Sequence, residues 1–170
     1  MNLSDIRLPR ELEADGAAET ICRVLGTRTV QLWPGSDFSI PIIIIDDFLK
    51  KVLQRASLNG QVQWGLEAIS DKLEKEQRGI DNLREGKNLP TGDRVSRLLL
   101  VSNDGARRFY RHIEHLLHLH APRLFGCMLD MDGNVLGSLI KGRETQIKVI
   151  MAEHKGVVSE ILRAVATGCR

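Results

Sequence analysis

Aromatic residues are scarce, at 4% of the 170-residue chain. The core must therefore be aliphatic, and few ring platforms exist on which unpaired bases could stack. Cysteine is scarcer still. Cys22, Cys127 and Cys169 are odd in number, far apart and form no CxxC pair. That pattern builds neither a disulfide framework nor a structural zinc site, and free thiols in a reducing compartment are expected. Long apolar runs are missing too. The longest, Ile40 to Ile45, contains Pro41 and is far too short to span a membrane. Met1 to Arg10 has no apolar stretch of the kind a signal peptide carries, so a cytoplasmic location is expected. Several catalytic signatures are absent. Gly133, Gly137 and Gly142 match no phosphate-cradling glycine loop, Ser138 lacks the context of a hydrolase elbow, and no HExxH occurs. No cofactor is expected.

What remains is an ordinary globular composition, with 42% hydrophobic and 27% charged residues. A chain of this length buries roughly 70% of its unfolded surface without a staple. A single domain over 1–170 is expected, with a possible division into a front half, 1–86, and a back half, 94–170. The net charge of +2 is unevenly spread: residues 1–93 sum to −3, residues 94–170 sum to +5, and all five histidines lie in the second part. A basic region favours anionic partners.

Spacing predicts a helix from Glu11 to Leu25 closed by Gly26, then β-formers from Thr27 to Trp33 and a turn at Pro34-Gly35-Ser36-Asp37. Ile40 to Ile45 reads as a strand that Pro41 confines to an edge or a strand start. Asp46 or Asp47 caps a helix through Ala56, broken at Asn59-Gly60. Val62, Leu66, Ile69, Leu73, Glu76, Ile80 and Leu83 then recur at spacings of four and three, the rhythm of about three heptads. Either a self-associating seam or an amphipathic helix on its own core gives that spacing. With the edge strands, it leads to the expectation of a homo-oligomer, specifically a dimer. Glu85 to Asp93 is a polar loop.

In the back half, Leu98 to Val101 reads as a buried strand, and Asn103 or Asp104 as the cap of a helix running to Leu119. Leu124–Met131 and Val135–Ile140 read as two strands about an Asp132-Gly133-Asn134 hairpin turn, and Thr145–Met151 as a third. A helix from Val157 to Ala166 closes the chain. The predicted order is β-α-β-β-β-α, within an α+β fold of helices on a mixed, largely antiparallel sheet.

The helix from Ala106 to Leu119 carries the clearest chemical signal. At about 100° per residue, Phe109, Ile113, Leu116 and Leu117 share one side. The other gathers Arg107, Arg108, Arg111, His112, His115 and His118, with Glu114 alone acidic at the margin. Like charges three and four apart repel by a few tenths of a kcal/mol per pair. An anionic partner would relieve that cost, as would acidic residues of the front half. Lys141 and Arg143 form a second small basic loop. An anion site rich in histidine would tighten as imidazoles protonate below roughly pH 6.5.

His112, His115 and His118 are three apart and could share a metal face, and Asp130 and Asp132 lie on one side of a strand, as a cation-binding DxD pair would. Yet Asp132 also suits a turn and Asp104 a helix cap, and the zinc ligand set is incomplete. No metal site is therefore assigned. His120 falls on the apolar side, near the helix end.

Residues 125–137, Phe-Gly-Cys-Met-Leu-Asp-Met-Asp-Gly-Asn-Val-Leu-Gly, resemble the first hairpin of roadblock-type adaptor domains. An adaptor of this kind would bind protein through its sheet edge or through the heptad seam. The leading expectation is a non-enzymatic binding or regulatory protein that presents its basic helix face to an anionic macromolecule, nucleic acid or acidic protein, with nucleic acid favoured. A metal-dependent hydrolase using Asp130, Asp132 and the helix histidines is one alternative. The adaptor is another.

Overall fold

In the computed structural model, residues 5–87 and 92–168 are described. The chain runs α1 (Arg10–Ala14), α2 (Ala17–Thr27), β1 (Thr29–Gln31), β2 (Ser39–Ile43), α3 (Asp47–Leu58), β3 (Val62–Trp64), α4 (Leu66–Gly86), β4 (Arg97–Val101), α5 (Arg107–Leu119), β5 (Leu124–Leu129), α6 (Gly133–Lys141), β6 (Val149–Ala152) and α7 (Lys155–Gly168). This is an α+β fold on a mixed six-stranded sheet ordered β1-β2-β5-β4-β6-β3. β2, β5 and β4 are parallel, while β1, β6 and β3 pair antiparallel to their neighbours.

The alternation of side chains along a strand divides the core in two. Leu98 and Leu100 of β4, with Phe125, Cys127 and Leu129 of β5, pack beneath α1, α2, α3, α6 and α7. Leu99 and Val101, with Leu124 and Met128, pack beneath α4 and α5. Both faces of the central strands are covered, which is why they read as unbroken apolar runs.

The structure corrects several sequence expectations. The first helix is split at Gly16, whose φ of 75° no side chain tolerates well, and it extends to Thr27 rather than closing at Gly26. β2 is not an edge strand. Pro41 lies beside Thr29, and pairing with β5 begins only at Ile42, so the missing N–H costs no ladder bond to β5. Asp46 does cap α3, its side chain accepting from the Leu49 N–H at 2.7 Å. Val62 belongs to β3 rather than to the long helix.

That helix, α4, buries Ile69 and Leu73 against its own chain. Its later stripe is less covered: Ile80 is half-buried, and Leu83 is 59% exposed. Glu76, the polar residue in the stripe, lies between Arg97 at 3.0 Å and Arg123 at 2.5 Å. Burial pushes its carboxyl up, but the two guanidinium groups outweigh that and hold it below its ordinary value. The predicted loop from Glu85 overlaps the last two residues of α4, which runs to Gly86, and its residues 88–91 lie outside the described set.

The largest correction falls on the back half, where the order is β-α-β-α-β-α. There is no hairpin at Asp132-Gly133-Asn134, and Val135 to Ile140 is helical. Asp132 is the N-cap of α6, its carboxylate accepting from the N–H groups of Asn134 and Val135 at 2.9 Å. The roadblock-like hairpin is therefore not formed. Gly137 shows why the helix fits here: a Cβ on it would stand 1.5 Å from the carbonyl oxygen of Thr145. α6 lies directly on the backbone that leads into β6, which begins at Val149 rather than Thr145. Nor does Asn103 or Asp104 cap α5. Ala106 stands at that position with no side-chain cap.

Candidate anion-binding surfaces

α5 lies over one face of the sheet because Tyr110, Ile113, Leu116 and Leu117 are buried there at helical spacing. Gly126 of β5 makes room for it, since a Cβ there would meet Leu117 at 2.7 Å. The opposite side of α5 faces outward. Arg107, Arg108, Arg111, His112, His115 and His118 are all exposed. Among the described residues, no carboxylate pairs with Arg107, Arg108 or Arg111. The acidic front half therefore does not neutralise these arginines by direct contact.

Glu114 is turned aside from this face. Its carboxylate, 20% exposed, accepts from the indole N–H of Trp33 and, at 3.0 Å, from the Ser36 hydroxyl. Those bonds fasten the β1–β2 turn to the helix. They also set Trp33 beside the arginines, with Arg107 4.7 Å and Arg111 5.8 Å from the ring centroid. His118 packs on Phe38, ring centroids 4.7 Å apart, and lies 3.8 Å from Glu114. His112 Nε2 stands 3.4 Å from the Ser70 hydroxyl on α4. Sequence reading missed Trp33 and Phe38, because only the fold brings the hairpin against α5.

Lys141 and Arg143 do not join this surface. Lys141 ends α6, which packs on the other face of the sheet, with Arg143 two residues beyond it, and Lys141 Nζ sits 3.9 Å from the Trp64 ring centroid. Asp130 and Asp132 are likewise taken up locally. Asp130 accepts from the Asn103 side chain at 3.3 Å, and Asp132 caps α6. The described residues assemble no group of three or more His, Cys, Asp or Glu that could hold a metal ion, so these carboxylates and the α5 histidines are not brought together. Cys127 is buried and Cys22 half-buried, both as free thiols, while Cys169 lies outside the described residues. No described helix is long and apolar enough to cross a membrane.

A second basic surface was not anticipated. At the end of the sheet where β4 and β5 begin lies a cleft of about 880 Å³. Arg10, Arg84, Arg94, Arg123 and Lys155 line it, against Glu11 and Asp93. Arg94 pairs with Glu13 and Arg123 with Glu76, but Arg10 and Lys155 have no carboxylate partner among the described residues. His120 also lines the cleft. It is 3% exposed, and neither ring nitrogen has a hydrogen-bond partner; the Arg123 Nη2 is buried and unpartnered too. A buried polar group left this way costs about 1–3 kcal/mol. The sequence signal, His120-Ala-Pro-Arg123 after a basic helix, gave no hint that the imidazole would be both buried and unpaired.

No family model matches the chain, and no curated protein sequence matches it. Among solved structures it is similar to a Bacillus halodurans protein of unknown function, at 16% identity and TM-score 0.49, over 71% of this chain and 97% of that one. It is also similar to a Giardia lamblia 15.5kD RNA binding protein, at 13% identity and TM-score 0.45, over 73% of this chain and 92% of that one. These scores support no transfer of function.

Proposed function

We propose that the outward face of α5, with Trp33 at its border, binds an anionic macromolecule, and that the partner is nucleic acid contacted through its phosphates. One observation carries this reading: three exposed arginines stand on a single helix face with no carboxylate paired to them among the described residues, while Glu114, the acid of α5 itself, is occupied in holding the hairpin. A thirteen-residue helix extends about 20 Å, long enough to follow several backbone phosphates. The few aromatics argue for phosphate contact over base stacking.

The test is anisotropy of labelled duplex DNA and RNA across a salt series, with polyglutamate as the acidic-protein comparison. Affinity should fall steeply with salt as counterions are released. Arg107→Glu, Arg108→Glu and Arg111→Glu together should abolish binding and leave the circular dichroism unchanged, since these side chains point away from the core. Trp33 fluorescence should change on binding, because the guanidinium beside it is engaged. Salt-independent affinity, or reversal variants that bind like the wild type, would defeat the reading. Binding to polyglutamate alone would make the partner an acidic protein.

A further inference from the structure

We infer that the cleft between α1, the second half of α4, the 120–123 loop and the start of α7 is a binding site for a small phosphorylated molecule. Its phosphate would lie among Arg10, Arg123 and Lys155, with His120 at the wall and the rest of the molecule against Ile80, Pro9 and Pro122. This is a site separate from the α5 surface, and it does not depend on the reading of that surface.

Four observations converge on it. The cleft is large enough for a metabolite, about 880 Å³. Its five cations, Arg10, Arg84, Arg94, Arg123 and Lys155, come from five separate stretches of chain, so they line one cavity rather than coat one helix, which suits a compact dianion better than an extended polymer. α7 begins there, with Lys155 and Gly156 on the cleft wall, and the first amides of a helix have no acceptor within it. Finally, His120 is 3% exposed with both nitrogens unpartnered, and Arg123 Nη2 beside it also lacks an acceptor. Unpaired polar groups lining a basic cleft, among them the Arg123 Nη2 donor and the single N–H of a neutral His120, are what remains when an acceptor ligand is taken away. A carboxylate would satisfy fewer of these donors than a phosphate, which offers three terminal oxygens and a charge near −2.

Burial lowers the His120 pKa, and Arg123 and His115 act in the same direction, while Glu76 and Glu74 oppose them. A bound anion would add to the opposing side and raise it. That supplies a readout at the site itself.

The experiment is a titration of the full chain with inorganic phosphate and with pyrophosphate, followed by amide NMR and by thermal denaturation. Saturable shifts are expected at Gly156 and the 120–123 loop at millimolar ligand, with a Tm that rises with concentration and a His120 pKa that moves up when phosphate saturates. The double variant R10E/K155E, altering two exposed side chains that have no carboxylate partner among the described residues, should fold normally and lose about tenfold or more in affinity. R107E/R108E/R111E should bind phosphate like the wild type. No saturable shift, an unchanged His120 pKa, or R10E/K155E binding like the wild type would overturn the proposal. If R107E/R108E/R111E alone abolishes the shifts, the ion sits on α5: the cleft proposal falls and the nucleic-acid reading stands. A wild-type chain that binds phosphate as described but binds no polyanion at low salt is the reverse case: the nucleic-acid reading falls and the cleft proposal stands.

Discussion

The carboxylate of Asp104 accepts the backbone N–H of Gly133 at 3.0 Å, joining the end of β4 to the first turn of α6 across 29 positions of sequence. The same carboxylate accepts from the Ser102 hydroxyl at 2.7 Å and lies 3.4 Å from Lys148 Nζ. Partial burial raises its pKa, but these three donors outweigh that and hold it below the ordinary 3.8. Asp104 thus accepts from the first turn of a helix far along the chain, and it ties together three segments.

Asp104→Ala should therefore cost about 1–3 kcal/mol in urea unfolding, the range for leaving a buried donor unpaired. The pH dependence has a definite sign. With the folded pKa below the unfolded one, the stabilisation is complete above the unfolded value of about 3.8 and is lost as pH falls through the folded value. The wild-type urea midpoint should drop more steeply than that of the variant at the acid end. Parallel profiles would show that the carboxylate contributes nothing as an ion.

Two glycines should respond in opposite directions to alanine. At Gly137 the new Cβ meets the Thr145 carbonyl oxygen at 1.5 Å. Neither backbone can give way, so the loss should reach or exceed the ~1–3 kcal/mol usual for overpacking. At Gly79, inside α4, nothing lies within 4 Å, and alanine should gain about 0.5–1 kcal/mol of stability. Equilibrium unfolding of the two variants, measured side by side, checks both signs.

His120→Leu should raise stability at neutral pH, because it removes two buried nitrogens with no partner. It should also remove a source of acid sensitivity. The folded His120 pKa lies below its ordinary 6.5, chiefly through burial. The unfolded chain therefore takes up the proton first, and wild-type stability falls as pH drops below about 6.5. Urea midpoints of wild type and variant should diverge over that interval. A variant that is less stable at neutral pH would mean that the imidazole is satisfied in solution.

The strands and helices with one unambiguous period were legible in the sequence. Leu98 to Val101 has four consecutive apolar residues after Arg97, a run that suits a strand buried on both faces in so short a segment. α5 was equally clear, because its basic and apolar residues separate cleanly at helical spacing. Residues 133–141 were not. Val135, Leu136, Leu139 and Ile140 suit both periods, and Asp132-Gly133 signals a hairpin turn as well as a helix start. What decides between them is Asp104, reaching from another loop to the Gly133 N–H, and the Thr145 backbone lying against Gly137. Neither contact is visible from local spacing. On α5 the exposed side chains are the ones that helical spacing separates from the apolar stripe, whereas the second small basic loop, Lys141 and Arg143, lies by α6 on the other face of the sheet. The cleft could not be read at all, since its residues come from five separated stretches of chain.

The two margins of the sheet, β1 and β3, are each three residues long. Each can offer only a few open rungs to an incoming strand, and Lys141 sits over Trp64 at the β3 side. Short borders guarded by a charge resist strand-to-strand joining. If two copies of this chain meet, the contact is better made through helices, such as the later part of α4 around Leu83, than by extending the sheet. Crowding or partial unfolding should therefore not readily seed a continuous β-ribbon from the folded molecule.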